Sequence, residues 1–350
     1  MFSVKVWKAI SLALVLFGTP ASAASVAEIA LYKGPDRQTR LERGAQAEKE
    51  LNFYTSINTD TSLPILQAFE KRYPFITTKL TRMDSERVVQ RFSTEYAANR
   101  PVADCIDVGN FELEYLRRKG LLQAFYTPVA ATFDKNLVQP DGFWVATRYS
   151  FIVLGYNTKL LKSSEAPKTY EDMVDPKWAG KITVERFYID WFMTLMKHWG
   201  PEKGRNFFQR LGKNDIKLRE GQTLIAQVLG SGDDMLATTS NNSLEPLQRK
   251  GGPVDWVNLE PVVGKTPSSG LPKNTPHPHA AVLFLDFILS KDGGQQVIRQ
   301  RNNTPTHPEV PPDPPRLREG FRYLLVDPVK YVDELDAYQK LWNEWVINPK

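Results

Sequence analysis

The chain is poor in the residues that most often mark extracellular chemistry. It holds one cysteine, Cys105. A lone thiol excludes an intramolecular disulfide and leaves stability to the size of the core. In "ADCIDVG", an apolar run of strand character, that thiol is expected to be small, buried and inert. Histidine is scarce too: His198, His277, His279 and His307. No two of them have the helical spacing of a zinc site, and three sit in the proline turns "TPHPH" and "PTHPEV". No G-x-S-x-G elbow occurs, "GSGDD" follows a helical stretch rather than a strand, and nothing places a base beside the serines of "SSGLP". An exported hydrolase is therefore the weaker function class, and no catalytic residue, resident metal or cofactor is expected. The chain lacks charge blocks, internal repeats and low-complexity segments. Its formal net charge of +5 is spread among alternating acids and bases, which gives no support to nucleic-acid or membrane-surface binding.

What is present begins with an export signal. Lys5 and Lys8 precede the short apolar run "AISLALVLFG", and small residues then lead to Ala23. That run is too short for a permanent membrane helix, so cleavage near Ala23 and a soluble periplasmic product are expected. Residues 24–50 are polar and helix-permissive and read as a surface helix leading into the first strand. "LNFYTS", "TSLPILQAFEKRYP", "TTKLTRM", "DSERVVQRFSTEYAANR", "VADCIDVG" and "FELEYLRRKG" then alternate strand and helix. This is the pattern of a parallel sheet with helices on both faces. "WVATRYSFIVLGYNTKLL" reads as a long strand crossing between lobes. A second set runs from "GKITVERF" to "DMLATT". The strand in "TPSSGLP" is expected to rejoin the first sheet, ahead of a strongly apolar helix. A proline-rich loop and an amphipathic helix, "LDAYQKLWNEWV", close the chain.

One stretch departs from packing economy. In "DMLATTSNNSL", a hydrophobic strand hands over to a helix through Thr238, Thr239, Ser240, Asn241 and Asn242. One such residue suffices to cap a helix. Five in a row fit either a cap or a ligand site at the carboxyl end of a strand.

Several segments resemble the periplasmic substrate-binding proteins of ABC importers, in the group that includes ferric-ion binders. They are "DRQTRLERGAQAEKELNFYTS", "LGYNTKLL", "VDPKWAGKI", "EKGRNFFQRL", "KGGPVDWV" and "LPKNTPHPHAAVLFLDFILSKDGGQQV", in order from about residue 35 to 300. The resemblance implies an α/β fold of two lobes, the type II periplasmic binding protein. Each lobe is a sheet flanked by helices, the two are joined by crossing strands, and the ligand lies between them. Expected boundaries are 51–147 plus about 266–315 for lobe 1, 148–265 for lobe 2, and 316–350 for a C-terminal helical segment. A small-molecule ligand, an inner-membrane ABC permease as partner and a monomeric state follow from the same likeness.

The ferric group carries tyrosines after the strand that corresponds to "DMLATT", whereas this chain has Ser240, Asn241, Asn242 and Ser243. A histidine often found in the first loop of that group is replaced by Asn58 or its neighbours. A trivalent ion needs anionic oxygens to offset its lost hydration, and neutral hydroxyls and amides replace them poorly. The expected ligand is therefore a small polar, anionic organic molecule, with ferric ion as the alternative. Candidate binding residues are Thr55, Ser56, Asn58, Asp84 and Ser85 from lobe 1. Arg148 comes from the crossing strand, and Arg186, Tyr188, Thr238, Thr239, Ser240 and Asn241 come from lobe 2. The guanidinium groups and helix N-termini suit an anion; Asp84 counts against one.

Overall fold

A computed structural model describes residues 24–349, and the export signal read over residues 1–23 lies outside that range. Helices α1 (Val26–Ala30) and α2 (Arg37–Glu48) come first. The alternation legible in the sequence follows: β1 (Glu50–Thr55), α3 (Thr59–Arg72), β2 (Thr77–Arg82), α4 (Ser85–Ala97), β3 (Cys105–Val108) and α5 (Asn110–Arg118). β1 pairs in parallel with both β2 and β3, as helical crossovers demand. Short strands β4 (Leu122–Gln123) and β5 (Trp144–Ala146) lead to the long β6 (Arg148–Asn157).

The second set comprises α6 (Tyr170–Met173), β7 (Ile182–Glu185), α7 (Ile189–Trp199), α8 (Pro201–Lys213) and β8 (Lys217–Arg219). It continues with α9 (Gln222–Ser231), β9 (Leu236–Ser240), α10 (Asn241–Arg249), β10 (Val254–Val257) and β11 (Val262–Lys265). The chain then crosses back through β12 (Ser268–Pro272) to α11 (Pro278–Leu289) and α12 (Gly294–Gln300). It ends with β13 (Thr304–Pro305), β14 (Tyr323–Leu325), α13 (Pro328–Tyr331) and α14 (Leu335–Trp342).

These strands form two sheets. The first has the order β2-β1-β3-β12-β4, with β5 also on β12; the second has β14-β11-β6-β9-β7-β8, with β10 and β13 on β6. Two antiparallel passes, β5 into β6 and β11 into β12, carry the chain between them. The Thr147 amide donates to the Pro267 carbonyl at 2.9 Å where the passes change sheet. Asp107, fully buried at the end of β3, accepts there from Arg148 Nη1 at 2.5 Å, Thr147 Oγ1 at 2.7 Å and Ser269 Oγ at 2.8 Å. This joint ties both passes to the end of β3 where the sheets meet.

The apolar α11 is the centre of the first lobe. All of Ala280–Leu285 and Phe287–Leu289 are buried, and Phe284 meets Phe53 and Phe69 edge-on at 4.8 and 5.1 Å. Residues 24–50 are more than a surface lead-in. Leu41 and Ala45 of α2 are buried, and Arg37 pairs with Asp286 of α11 at 2.5 Å. Gly44 lets the two helices touch, because a Cβ there would lie 2.2 Å from the His279 ring. His279 binds Glu48 at 2.6 Å, and His277 binds Asp104 at 2.9 Å. The proline-turn histidines thus fasten the start of α11 to its neighbours. Cys105 is buried, its thiol on the Ala281 carbonyl at 3.3 Å, and burial pushes its ionisation well up.

The last helix packs on the second sheet's helices. Trp342 is fully buried, 5.5 Å from the Phe192 ring, and its indole N–H donates to the Arg186 carbonyl at 2.9 Å. Among the described residues no helix is long and apolar enough to cross a membrane.

Candidate functional site

Between the sheets lies a cavity of about 720 Å³, large enough for a small organic molecule. Five helices begin at its wall. They are α3 after Asn58, α4 after Asp84, α5 after Gly109, α9 after Gly221 and α10 after Ser240, and each of those residues lines the cavity. The side chains of Asn58, Asp84 and Ser240 accept nothing from the first turn, and Gly109 and Gly221 have no side chain to do so. The strand–turn–helix order of each lobe places strand ends and helix starts on the same edge. The positive ends of the helix dipoles therefore converge on the gap.

Strand alternation decides which polar residues reach that gap. Along β6, Arg148 and Ser150 face the cavity while Ile152, Leu154 and Tyr156 continue the same face into the core of the second lobe. Tyr149, Phe151 and Val153 face the opposite side. β9 pairs with β6 so that Ser240 lies opposite Ile152, Thr239 opposite Val153 and Thr238 opposite Leu154. Ser240 therefore stands at the cavity edge of the correct face, Thr238 lies one step deeper, and Thr239 points to the other side.

Five of the residues read as ligand contacts lie off this wall. Thr55 Oγ1 accepts from the Ile57 amide at 2.9 Å, shaping the turn after β1. Thr238 accepts from the Glu185 amide at 3.4 Å, and Thr239 donates to the Gln222 carbonyl at 3.4 Å. Arg186 lies 3.8 Å from Glu220, which lines the cavity, but does not line it itself. Asn241 is committed on both sides: Oδ1 accepts from the Phe151 amide at 3.2 Å and Nδ2 donates to the Leu317 carbonyl at 2.8 Å. None of the five lines the cavity. Asn242 similarly donates to the Tyr149 carbonyl at 2.6 Å and accepts from Thr304 at 3.2 Å, although it also borders the space. Much of the polar row after β9 thus ties α10 to the crossing strand. Ser240 and Ser243, 3.3 Å apart, are the pair left facing inward.

Ser56, Asn58, Asp84, Ser85, Arg148, Tyr188 and Ser240 do come together on the wall. Arg148 is fixed by its buried pair with Asp107, and among the described residues only its Nη1 is hydrogen-bonded. Arg82, missed in the sequence, donates to Asn58 Oδ1 at 3.2 Å and lies 3.5 Å from Asp84. Asp84 is thereby offset rather than repelling an anion. Thr223 of α9 donates to the same Asn58 oxygen at 3.0 Å, linking the two lobes across the gap.

A second group of charges went unread. Glu86 and Glu112 from the first lobe face Glu185 and Lys265 from the second, and all four line the cavity. Lys265 is 2.5 Å from Asp190. Burial favours its neutral form, but Asp190, Glu112 and Glu86 together hold it above the ordinary lysine range. Burial raises Glu112 to about 7 and Glu185 to about 7. Glu185 is 4% exposed and accepts from the Gly221 amide at 2.9 Å. Tyr188, 1% exposed, has a hydroxyl without a partner among the described residues, and burial followed by Glu185 and Asp190 raises its ionisation far above normal. Arg82, Glu185 and Lys265 each stand at a strand end, the one sequence cue that could have found them. Glu112 lies in the first turn of α5, where an acid ordinarily serves only the helix dipole.

The model of the bacterial extracellular solute-binding proteins matches residues 65–317. The chain belongs to that family. Proteins of the family bind small solutes and work with ABC permeases. This solute-binding protein is 27% identical over 330 residues to iron uptake protein A2 of Synechocystis sp., covering 87% of this chain and 92% of the relative. Its fold matches AfuA of Actinobacillus pleuropneumoniae, solved with fructose-6-phosphate, at a TM-score of 0.76 and 20% identity over 86% of this chain and 99% of that one. A Trichodesmium protein solved with iron and citrate matches at a TM-score of 0.69 and 20% identity, covering 85% and 99%. At such identity the two structures establish the two-lobed α/β fold and leave the solute open.

Proposed function

We propose that this protein is the periplasmic solute-binding component of an ABC import system, capturing a small polar anion between its lobes and acting by binding, without chemistry. The observation that carries this reading is the convergence of five helix starts, none with a side-chain cap, on a cavity that also presents Arg82 and Arg148. Free first-turn N–H groups and guanidinium donors bind carboxylate or phosphate oxygens and have nothing to offer a bare cation. Hydroxyls of Ser56, Ser85, Ser150, Ser240 and Ser243 add neutral hydrogen bonds around the solute. Contacts from both lobes favour the closed form, because a ligand shifts such an equilibrium only by binding one state better. A monomer delivering its solute to an inner-membrane permease completes the reading.

Ferric ion is the second reading, and two relatives have names that describe iron uptake. The phenol of Tyr188 on the cavity wall is what favours it. One phenol, held neutral by burial, is a poor trivalent site. Calorimetry and thermal-shift screening of carboxylates, phosphates and ferric ion against the mature protein separate the two. Stabilisation by anions, weakened by Arg82→Gln, is expected. Stabilisation by ferric ion alone, abolished by Tyr188→Phe, overturns the anion reading.

A further inference from the structure

The cavity wall is not uniformly suited to an anion. On one side stand Arg82 and Arg148; on the other, Glu86, Glu112 and Glu185 gather around Lys265, with Asp190 behind it. Four carboxyl groups thus face one ammonium, already engaged with Asp190. Glu86 is exposed and Glu112 half-buried, and among the described residues neither forms an ion pair. Glu185, by contrast, is buried and shares Lys265 with the already paired Asp190, and a buried carboxylate short of counter-charge is costly. An independent feature points the same way. The Tyr188 hydroxyl, buried on the wall, has no partner among the described residues, and its neutral oxygen can accept a hydrogen bond. A metal ion is a poor occupant, because Lys265 would repel it. Among the described residues no three acids, histidines or cysteines are grouped to hold one.

We infer that the solute is a short zwitterion whose acidic group lies at Arg82 and Arg148 and whose protonated amine lies among Glu86, Glu112, Glu185 and Tyr188. This rests on the anion reading above and narrows it. The sheet register sets the scale. Lys265 is directly opposite Ser150 in the β6–β11 pair, and Arg148 is two residues before Ser150 on the same face. The two ends are therefore diagonal neighbours, roughly 7–8 Å apart at the backbone. A solute with a few bonds between its charges fits that span. Burial raises the ionisation of Glu112 and Glu185 in spite of the nearby Lys265, and an incoming ammonium would favour their charged forms.

Matched pairs test this: β-alanine against propionate, and phosphoethanolamine against ethyl phosphate, each titrated calorimetrically into the mature protein. In at least one pair the amine-bearing member is expected to bind about tenfold tighter or more, and the pair that responds tells carboxylate from phosphate. Glu112→Gln should narrow that gap, and Glu86→Gln provides the same check should the first variant fail to fold. Equal affinity within both pairs, or a gap indifferent to both variants, overturns the zwitterion and leaves the anion reading standing. Binding of none of the four compounds, with stabilisation by ferric ion alone, overturns both.

Discussion

Asp107→Asn removes one charge at the joint between the lobes and keeps the shape. In the native chain the carboxylate accepts from Thr147, Ser269 and Arg148. The two hydroxyls lose little, because the Asn oxygen still accepts and Thr147 Oγ1 also reaches the Pro267 carbonyl at 3.1 Å. Arg148 loses most. Its side chain is 8% exposed, and its paired carboxylate is fully buried. Breaking such a pair from one side costs about 3–5 kcal/mol. Because Arg148 borders the cavity, water can reach part of the guanidinium, so the low end, about 3 kcal/mol, is expected. Urea denaturation at pH 7 should show this as a lower midpoint with an unchanged slope. The loss should vary little between low and high salt, since the pair is shielded from ions. Adding Arg148→Met removes the orphaned charge and should recover at least half the loss, while weakening anion binding. A loss below about 1 kcal/mol, or a double variant no more stable than the single one, refutes the reasoning that a buried pair holds this joint.

Two further perturbations follow from the same structure. Glu185 keeps its proton to about 7 in the folded chain, whereas an unfolded carboxyl releases it near 4.3. Between those values the native state holds a proton that the unfolded state lacks, so stability should fall as pH rises and level off above 7, by at most about 4 kcal/mol from this group. Glu185→Gln should flatten that part of the ligand-free pH–stability curve; parallel curves for the variant and the native chain count against it. Trp342→Ala should cost about 3–5 kcal/mol in thermal or chemical denaturation, through the cavity left against Phe192 and the lost bond to the Arg186 carbonyl. An unchanged midpoint would mean that the last helix adds nothing to the second lobe.

The sequence by itself determined the α/β class, the order of strands and helices, the crossing at "WVATRYSFIVLGYN" and the return of "SSGLP" to the first sheet. Those features rest on local periodicity and on chain order, which a linear reading captures. It also carried the strand ends where Ser56, Ser85, Arg148 and Ser240 meet the cavity. The direction of each polar side chain was decided elsewhere. Thr238, Thr239 and Ser240 are consecutive and chemically alike, yet pairing with β6 turns Thr239 to the other face and sets Thr238 too deep, so that only Ser240 reaches the cavity. Asn241 reads as a binding residue until the Phe151 amide and the Leu317 carbonyl claim both ends of its amide. Only the folded chain brings Glu86, Glu112, Glu185 and Lys265 together. They are far apart in sequence, and each has an ordinary surface reading alone. Their cost and their use arise from desolvation and from one another's charge, which exist only once the two lobes face each other.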